Sequence, residues 1–253
     1  MQRMGLSMSR VKAIFISHEH TDHIKGLTVV ANKYQLPVFM TVGTLAACRL
    51  AIPSRLLYSL RPGHHVHVGE LEVIPFSKWH DAADPQSFVV RQHSRTVGVF
   101  TDIGAVCERL THYFQQCDIA FLETNYDEEM LDKGRYPYFL KKRIRGGYGH
   151  LSNHQALELF LQHRSPRLRL LYLCHLSRDN NDPELAQCLF NEHAGETSVV
   201  LAGRDAETAV YRMLDLMPET KRILKYEEKS VSYLDGHILT YQSCTIRWGV
   251  QSL

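Results

Sequence analysis

The chain has 253 residues, 44% of them hydrophobic and 22% charged, which excludes a disordered tail or a fibrous repeat. Its 29 lysines and arginines face 27 acids for a net charge of +2, so any affinity for nucleic acid has to come from a local patch. Six cysteines occur with no Cys-x-x-Cys pair, and neither a signal-like apolar start nor a membrane-length apolar run is present, so a cytoplasmic protein with reduced thiols and no membrane partner is expected.

In chain order, the β-branched run 11–16 predicts a strand ending in the polar loop 17–23. Helical spacing over 24–35 precedes a short strand at 37–40. Residues 71–76, 87–92 and 96–101 predict three strands joined by tight loops, followed by a helix over 106–116 and a strand over 118–122. Ser152-Asn153-His154-Gln155 has the pattern of a capping box that opens a helix to about residue 163. The apolar run 168–174 predicts another strand, and Asp182-Pro183 starts a helix with Asp as N-cap and Pro in first position. Strands and helices in this order argue for a layered α/β fold.

The most informative segment is Ser17 to His23, where His18, His20, Asp22 and His23 follow directly on an apolar strand. Imidazole nitrogens and carboxylate oxygens are the ligand set of zinc and similar divalent ions, and they suit zinc and manganese alike. Four adjacent ligands cannot all reach one ion with good geometry, which favours two metals over one. A solvated polar loop is the plain alternative.

This segment resembles the hallmark of the metallo-β-lactamase superfamily, His-x-His-x-Asp-His after a strand. The resemblance implies an αββα sandwich over residues 1–205, with a C-terminal helix and an unassigned tail over 206–253. Family order also assigns His80 (in Trp79-His80-Asp81), Asp102 (in Thr101-Asp102-Ile103-Gly104) and His175 (in Cys174-His175-Leu176) as further ligands. By that resemblance His18, His20 and His80 hold one divalent ion, Asp22, His23 and His175 the other, and Asp102 bridges them. A hydroxide held between two such cations is a strong nucleophile at neutral pH. Taken alone, a loop histidine is the plain alternative for His80, and a cap for the helix near Ala105 is that for Asp102, with Gly104 allowing a tight turn.

Two further segments narrow the branch. Phe121-Leu122-Glu123-Thr124 and Gly149-His150-Leu151-Ser152 are similar to the paired acid and histidine segments of tRNase Z-type phosphodiesterases, which makes Glu123 the orienting carboxylate and His150 the leaving-group acid. The stretches 18–26, 80–85, 149–153 and 175–181 resemble the YycJ/WalJ group of compact exonucleases acting on DNA. No β-CASP insert fits between Asp102 and His175, and no long exosite arm is evident. Lys141, Lys142, Arg143 and Arg145 lie just before His150 and suit backbone phosphates, while Tyr136, Tyr138, Phe139 and Tyr148 suit stacking on unpaired bases. A solvated helix face is the alternative for the charge run.

The expected activity is therefore a phosphodiesterase with two divalent ions, an exonuclease on DNA with free ends or single strands. A small-molecule ester, thioester or lactone hydrolase of the same fold is the alternative. Superfamily domains open with strands that precede the metal loop, and here the loop begins at residue 18. An N-terminally truncated domain is thus expected, and an inactive metal-binding remnant is a third reading.

Overall fold

The run that leads into the histidine loop pairs as a strand over two residues only. This strand, β1 (Ile14–Phe15), lies parallel to β2 (Val38–Thr41), and β2 lies parallel to β3 (Leu57–Leu60). The structure, a computed structural model, describes residues 2–211. Between β1 and β2 the helix expected over 24–35 forms as α2 (Leu27–Tyr34), and a separate helical turn, α1 (Thr21–Ile24), falls mostly in the expected loop 17–23. Asp22 and His23 therefore ride on a helical turn rather than in a loop. Gln35 ends α2 in the left-handed region, with its N–H donated to the Ala31 carbonyl. A short helix the sequence pattern did not reveal, α3 (Val42–Ala47), follows β2 and is capped by the Thr41 hydroxyl.

The second sheet has seven strands: β4 (Val66–Val68), β5 (Leu71–Ser77), β6 (Gln86–Gln92), β7 (Arg95–Phe100), β8 (Ile119–Glu123), β9 (Leu170–Cys174) and β10 (Ser198–Leu201). Their spatial order is β10-β9-β8-β7-β6-β5-β4, antiparallel from β4 to β7 and parallel from β7 to β10. Helices α4 (Glu108–Phe114), α5 (Glu128–Lys133), α6 (Tyr138–Arg145), α7 (Asn153–His163) and α8 (Pro183–Asn191) follow in the connections. The capping box forms as its pattern predicts: Ser152 accepts from the Gln155 N–H, and Gln155 accepts from the Ser152 N–H. Asp182 caps α8, with Pro183 in its first turn.

Alternation along the strands sorts the core into layers. Ile74, Val89, Ala120, Leu122, Leu171 and Leu173 face α4, α7 and α8, whose Phe114, Phe160 and Phe190 are fully buried. On the other face Val73, Phe88 and Val90 meet Leu60 of β3, with Phe15 and Phe39 packed against them. Beyond the small sheet, Leu27 and Ala31 of α2 cover Val38 and Met40. The order is helix, sheet, sheet, helix, as expected. Each fully buried Leu or Phe is worth roughly 1.5–3 kcal/mol, so the densely packed side of the large sheet is the frame from which the site loops hang.

No helix among the described residues is long and apolar enough to cross a membrane. Residues 206–211 form no helix, and the rest of the expected C-terminal helix and tail lies outside the described residues.

Candidate metal centre

Strands β5, β7, β8 and β9 run in one direction, so their carboxyl ends share one edge of the large sheet, where ligands of open α/β sheets collect. His80 follows β5, Asp102 follows β7, Glu123 ends β8 and His175 follows β9. The segment after β1 faces them from the small sheet. Four groups of donor atoms converge there, each with its atoms within 4.8 Å of one another: His18, His20 and His80; Asp22, His23 and His175; His18, His23 and Asp102; and Asp102, Glu123, His150 and His175.

Asp102 sits at the centre. Its carboxylate lies 4.0 Å from His18 Nε2, 3.4 Å from His23 Nε2, 3.7 Å from His80 Nε2 and 3.4 Å from His175 Nε2. It does not cap α4, whose N-cap is Cys107. Backbone strain falls on two of the candidate ligands, in separate loops: Asp102 has φ 55° and His175 φ 57°, a region that non-glycine residues occupy at a cost of order 1–3 kcal/mol each. Gly104 is not left-handed. A Cβ there would lie 2.4 Å from the Gly147 carbonyl oxygen and from Tyr148 Cα, so this glycine serves close approach of two loops rather than a tight turn.

The outward ring nitrogens are held by protein groups, which fixes which nitrogen faces the centre. Ser17 Oγ lies 3.0 Å from His18 Nδ1 and 3.3 Å from His23 Nδ1. His20 Nε2 donates to the Asp81 carbonyl at 3.2 Å, and His80 Nδ1 to the Gly149 carbonyl at 3.0 Å. Glu123 is fully buried and accepts at 2.9 Å from His175 Nδ1, at 3.2 Å from His150 Nδ1, at 2.6 Å from the Asp102 N–H and at 2.8 Å from the Leu151 N–H. It thus orients a candidate ligand as well as the candidate acid. The His150 ring lies between those of His80 and His175, with centroids 5.2 Å from the former and 5.3 Å from the latter.

Protonation follows from these surroundings. Burial, reinforced by the Lys78 cation, lowers the pKa of His18 strongly. Burial likewise takes His80 down to about 4 against the pull of Asp102. At His23 and His175 burial is outweighed: Asp102 and Asp22 raise the former, and Asp102, Asp22 and Glu123 push the latter up to about 10. Burial opposes ionisation of Asp102, but His175, Lys78 and His23 hold its carboxyl well below the usual range.

His18 Nε2, His23 Nε2 and Asp102 Oδ2 are buried without a hydrogen-bond partner. Buried polar atoms are rarely left so, and inward-facing imidazole nitrogens around carboxylates are donors suited to divalent ions. The residues fit such ions. One contributor escaped the sequence reading. Lys78 is buried, donates to the Thr101 carbonyl at 2.7 Å and sits 3.8 Å from Asp102. Its position two residues before His80 at a strand end puts both side chains on one face, which was the available signal.

The basic segment forms α6. Lys141 Nζ donates to the Asp132 carbonyl at 2.7 Å, Arg145 pairs with the Asp132 carboxylate and Arg143 with Asp81. Lys142 is exposed and has no such partner among the described residues. Of the candidate stacking residues, Tyr138, Phe139 and Tyr148 are exposed, while the Tyr136 hydroxyl donates to Asp179 at 2.9 Å.

Residues 2–175 match the family model of the beta-lactamase superfamily domain, and the chain belongs to that family; it is a hydrolase of the metallo-β-lactamase fold, a fold that implies divalent metal ions. Among individual proteins it is similar to the exodeoxyribonuclease YycJ of Bacillus anthracis, 36% identical over 185 residues that make up 72% of this chain and 70% of that one. It is also similar to the exodeoxyribonuclease WalJ of Streptococcus pneumoniae strain D39, 33% identical over 179 residues, 69% of this chain and 66% of the other. The Zn(2+)-bound PqqB of Methylobacterium extorquens shares the fold, with a TM-score of 0.59 at 15% identity over 76% of this chain and 70% of that one.

Proposed function

We propose that the chain is a cytoplasmic two-metal phosphodiesterase that degrades DNA from free ends or in single strands. The observation that carries this reading is the Glu123–His150 pair set between His80 and His175, since a thioester, whose thiolate departs without a proton, has little use for a leaving-group acid, whereas the alkoxide leaving a phosphodiester needs one. The names of the two relatives, both exodeoxyribonucleases, support the substrate class.

In this reading His18, His20 and His80 would hold one ion and Asp22, His23 and His175 the other, with Asp102 shared by the two sets. Zinc or manganese ions there would supply Lewis-acid activation of water and of the phosphoryl oxygens. Glu123 accepts from His150 Nδ1 and leaves Nε2 facing the departing alkoxide; the doubly protonated ring gives its Nε2 proton to that alkoxide and keeps the Nδ1 proton held by Glu123. Glu123 is held ionised: burial opposes its charge, but His150 and His175 bring its pKa down to about 2. Lys142 and Arg143 contact backbone phosphates, with Lys141 and Arg145 anchoring α6 on Asp132.

The test is turnover of end-labelled single- and double-stranded DNA and RNA, of bis(p-nitrophenyl) phosphate, and of lactam, lactone and thioester substrates by metal-loaded protein. Metal-dependent cleavage of DNA supports the reading. Hydrolysis of the small esters with no phosphodiester cleavage overturns it.

A further inference from the structure

Two large aromatics beside the centre are left in solvent. Trp79 is 43% exposed and Tyr148 56%, and their rings meet edge to face with centroids 5.5 Å apart. Neither belongs to a hydrophobic core cluster. Both are nevertheless rigidly placed by the backbone. The Trp79 carbonyl accepts from the Gly104 N–H at 2.6 Å, and the Tyr148 carbonyl accepts from the Asp81 N–H at 2.9 Å. Trp79 forms an isolated bridge with Ala105, and Gly104 lies against Tyr148 so tightly that no Cβ fits. The pair is therefore fixed to the loops of His80, Asp102 and His150, one residue from the first and two from the last. Arg143 is anchored on Asp81 of the same loop, and Lys142 precedes it.

We propose that Trp79 and Tyr148 form a stacking platform for an unpaired nucleobase beside the scissile phosphate, and that it makes single-stranded ends the preferred substrate. The inference rests on the phosphodiesterase reading and names its specificity element. Aromatic faces next to backbone-binding cations are the chemistry that holds single-stranded nucleic acid without regard to sequence. In a duplex the base faces are covered by their neighbours, so the platform discriminates strand state rather than base identity. Because the pair is preorganised, little ordering cost is charged against binding.

The chain has two tryptophans, Trp79 and Trp248, so Trp248→Phe isolates the emission of Trp79. Metal-loaded Trp248→Phe protein is titrated with a short phosphorothioate oligo(dT), with the same backbone carrying abasic spacers, and with a blunt hairpin. Saturable quenching by oligo(dT), with affinity for the spacer strand and the hairpin lower by roughly 10-fold or more, is expected from the loss of one stacked base. Equal quenching by the spacer strand, or none by oligo(dT), overturns the proposal. In a second arm, Trp79→Ala should lower the ratio of kcat/KM on single-stranded DNA to that on bis(p-nitrophenyl) phosphate by roughly 10- to 100-fold, mainly through KM. Trp79→Phe should restore most of that ratio. Equal losses on both substrates, or loss of metal, would make Trp79 a prop for the His80 loop and sink the platform. If no phosphodiester is cleaved while oligo(dT) alone quenches, the phosphodiesterase reading and the substrate preference both fall, and Trp79 and Tyr148 remain only a binding site for unpaired bases.

Discussion

The surroundings of Asp102 and the surface of α6 are both dense in charge, yet they are built in opposite ways. At Asp102 the ring nitrogens of four histidines lie within 4.0 Å of one carboxylate, and several donor atoms face inward without a protein partner. On α6 three of the four basic side chains are engaged, by Asp132 or by Asp81. Burial makes the difference. In the interior an unpaired donor is costly and has to be met by something, whereas at the surface each cation finds a neighbouring acid or water at little cost. Sequence spacing alone counts charges; only the packing says which remain available to a ligand.

The sharpest way to break this contrast is at its centre. Asp102→Ala should lower metal content and abolish turnover together, measured by metal analysis and DNA cleavage. Next comes His150→Ala, which should keep the metals bound yet slow cleavage by roughly 10²–10⁴-fold, the range of a lost general acid. That defect should shrink with p-nitrophenolate as leaving group, which needs little protonation. Glu123→Gln should differ from His150→Ala in kind. Since Glu123 also accepts from His175, metal affinity should fall by about 10- to 100-fold, as for other residues that orient a ligand, alongside a smaller loss in cleavage.

The same wiring sets a pH dependence. Without an ion, His175 is raised from its ordinary 6.5 to about 10, so its charged contacts stabilise the metal-free protein fully below pH 6.5 and are lost as pH rises through about 10. The thermal midpoint of metal-free protein should fall across that window. Metal binding displaces that proton, so apparent affinity should rise over the same window, with proton release detectable in weakly buffered titrations. The smallest effects belong to α6. Lys142→Ala should weaken DNA binding a few-fold and reduce the salt slope by about 1. Arg145→Ala, which removes a cation already paired with Asp132, should change that slope less.

Much of this was legible in the sequence, for local reasons. His18 to His23 announce a ligand cluster because the donors are adjacent and follow an apolar strand. Ser152 and Gln155 announce a helix start because both halves of the capping box lie within four residues. Long-range pairings were hidden. Nothing near Arg143 in the chain points to Asp81, and nothing near Glu123 points to a shared role for His175. The helical turn Thr21–Ile24 was hidden because a single turn of polar residues carries no apolar spacing. Strands β3, β4 and β10 escaped; at four residues or fewer alternation registers weakly, and only some short runs, such as that of β2, stand out.

The candidate ligands hang from two different sheets, His18 to His23 from the small one and His80, Asp102 and His175 from the large one. During synthesis, residues 18 to 23 leave the ribosome long before residue 175 does. A nascent chain can thus offer the first cluster early, but it cannot complete either three-residue group until β5 or β9 has docked. Ions bound by the finished set would act as a rivet across the seam between the sheets and would stabilise the complete fold over every shorter one. Chelation should accordingly loosen that seam first, with hydrogen exchange accelerating around residues 18–23 before it does in β8 and β9.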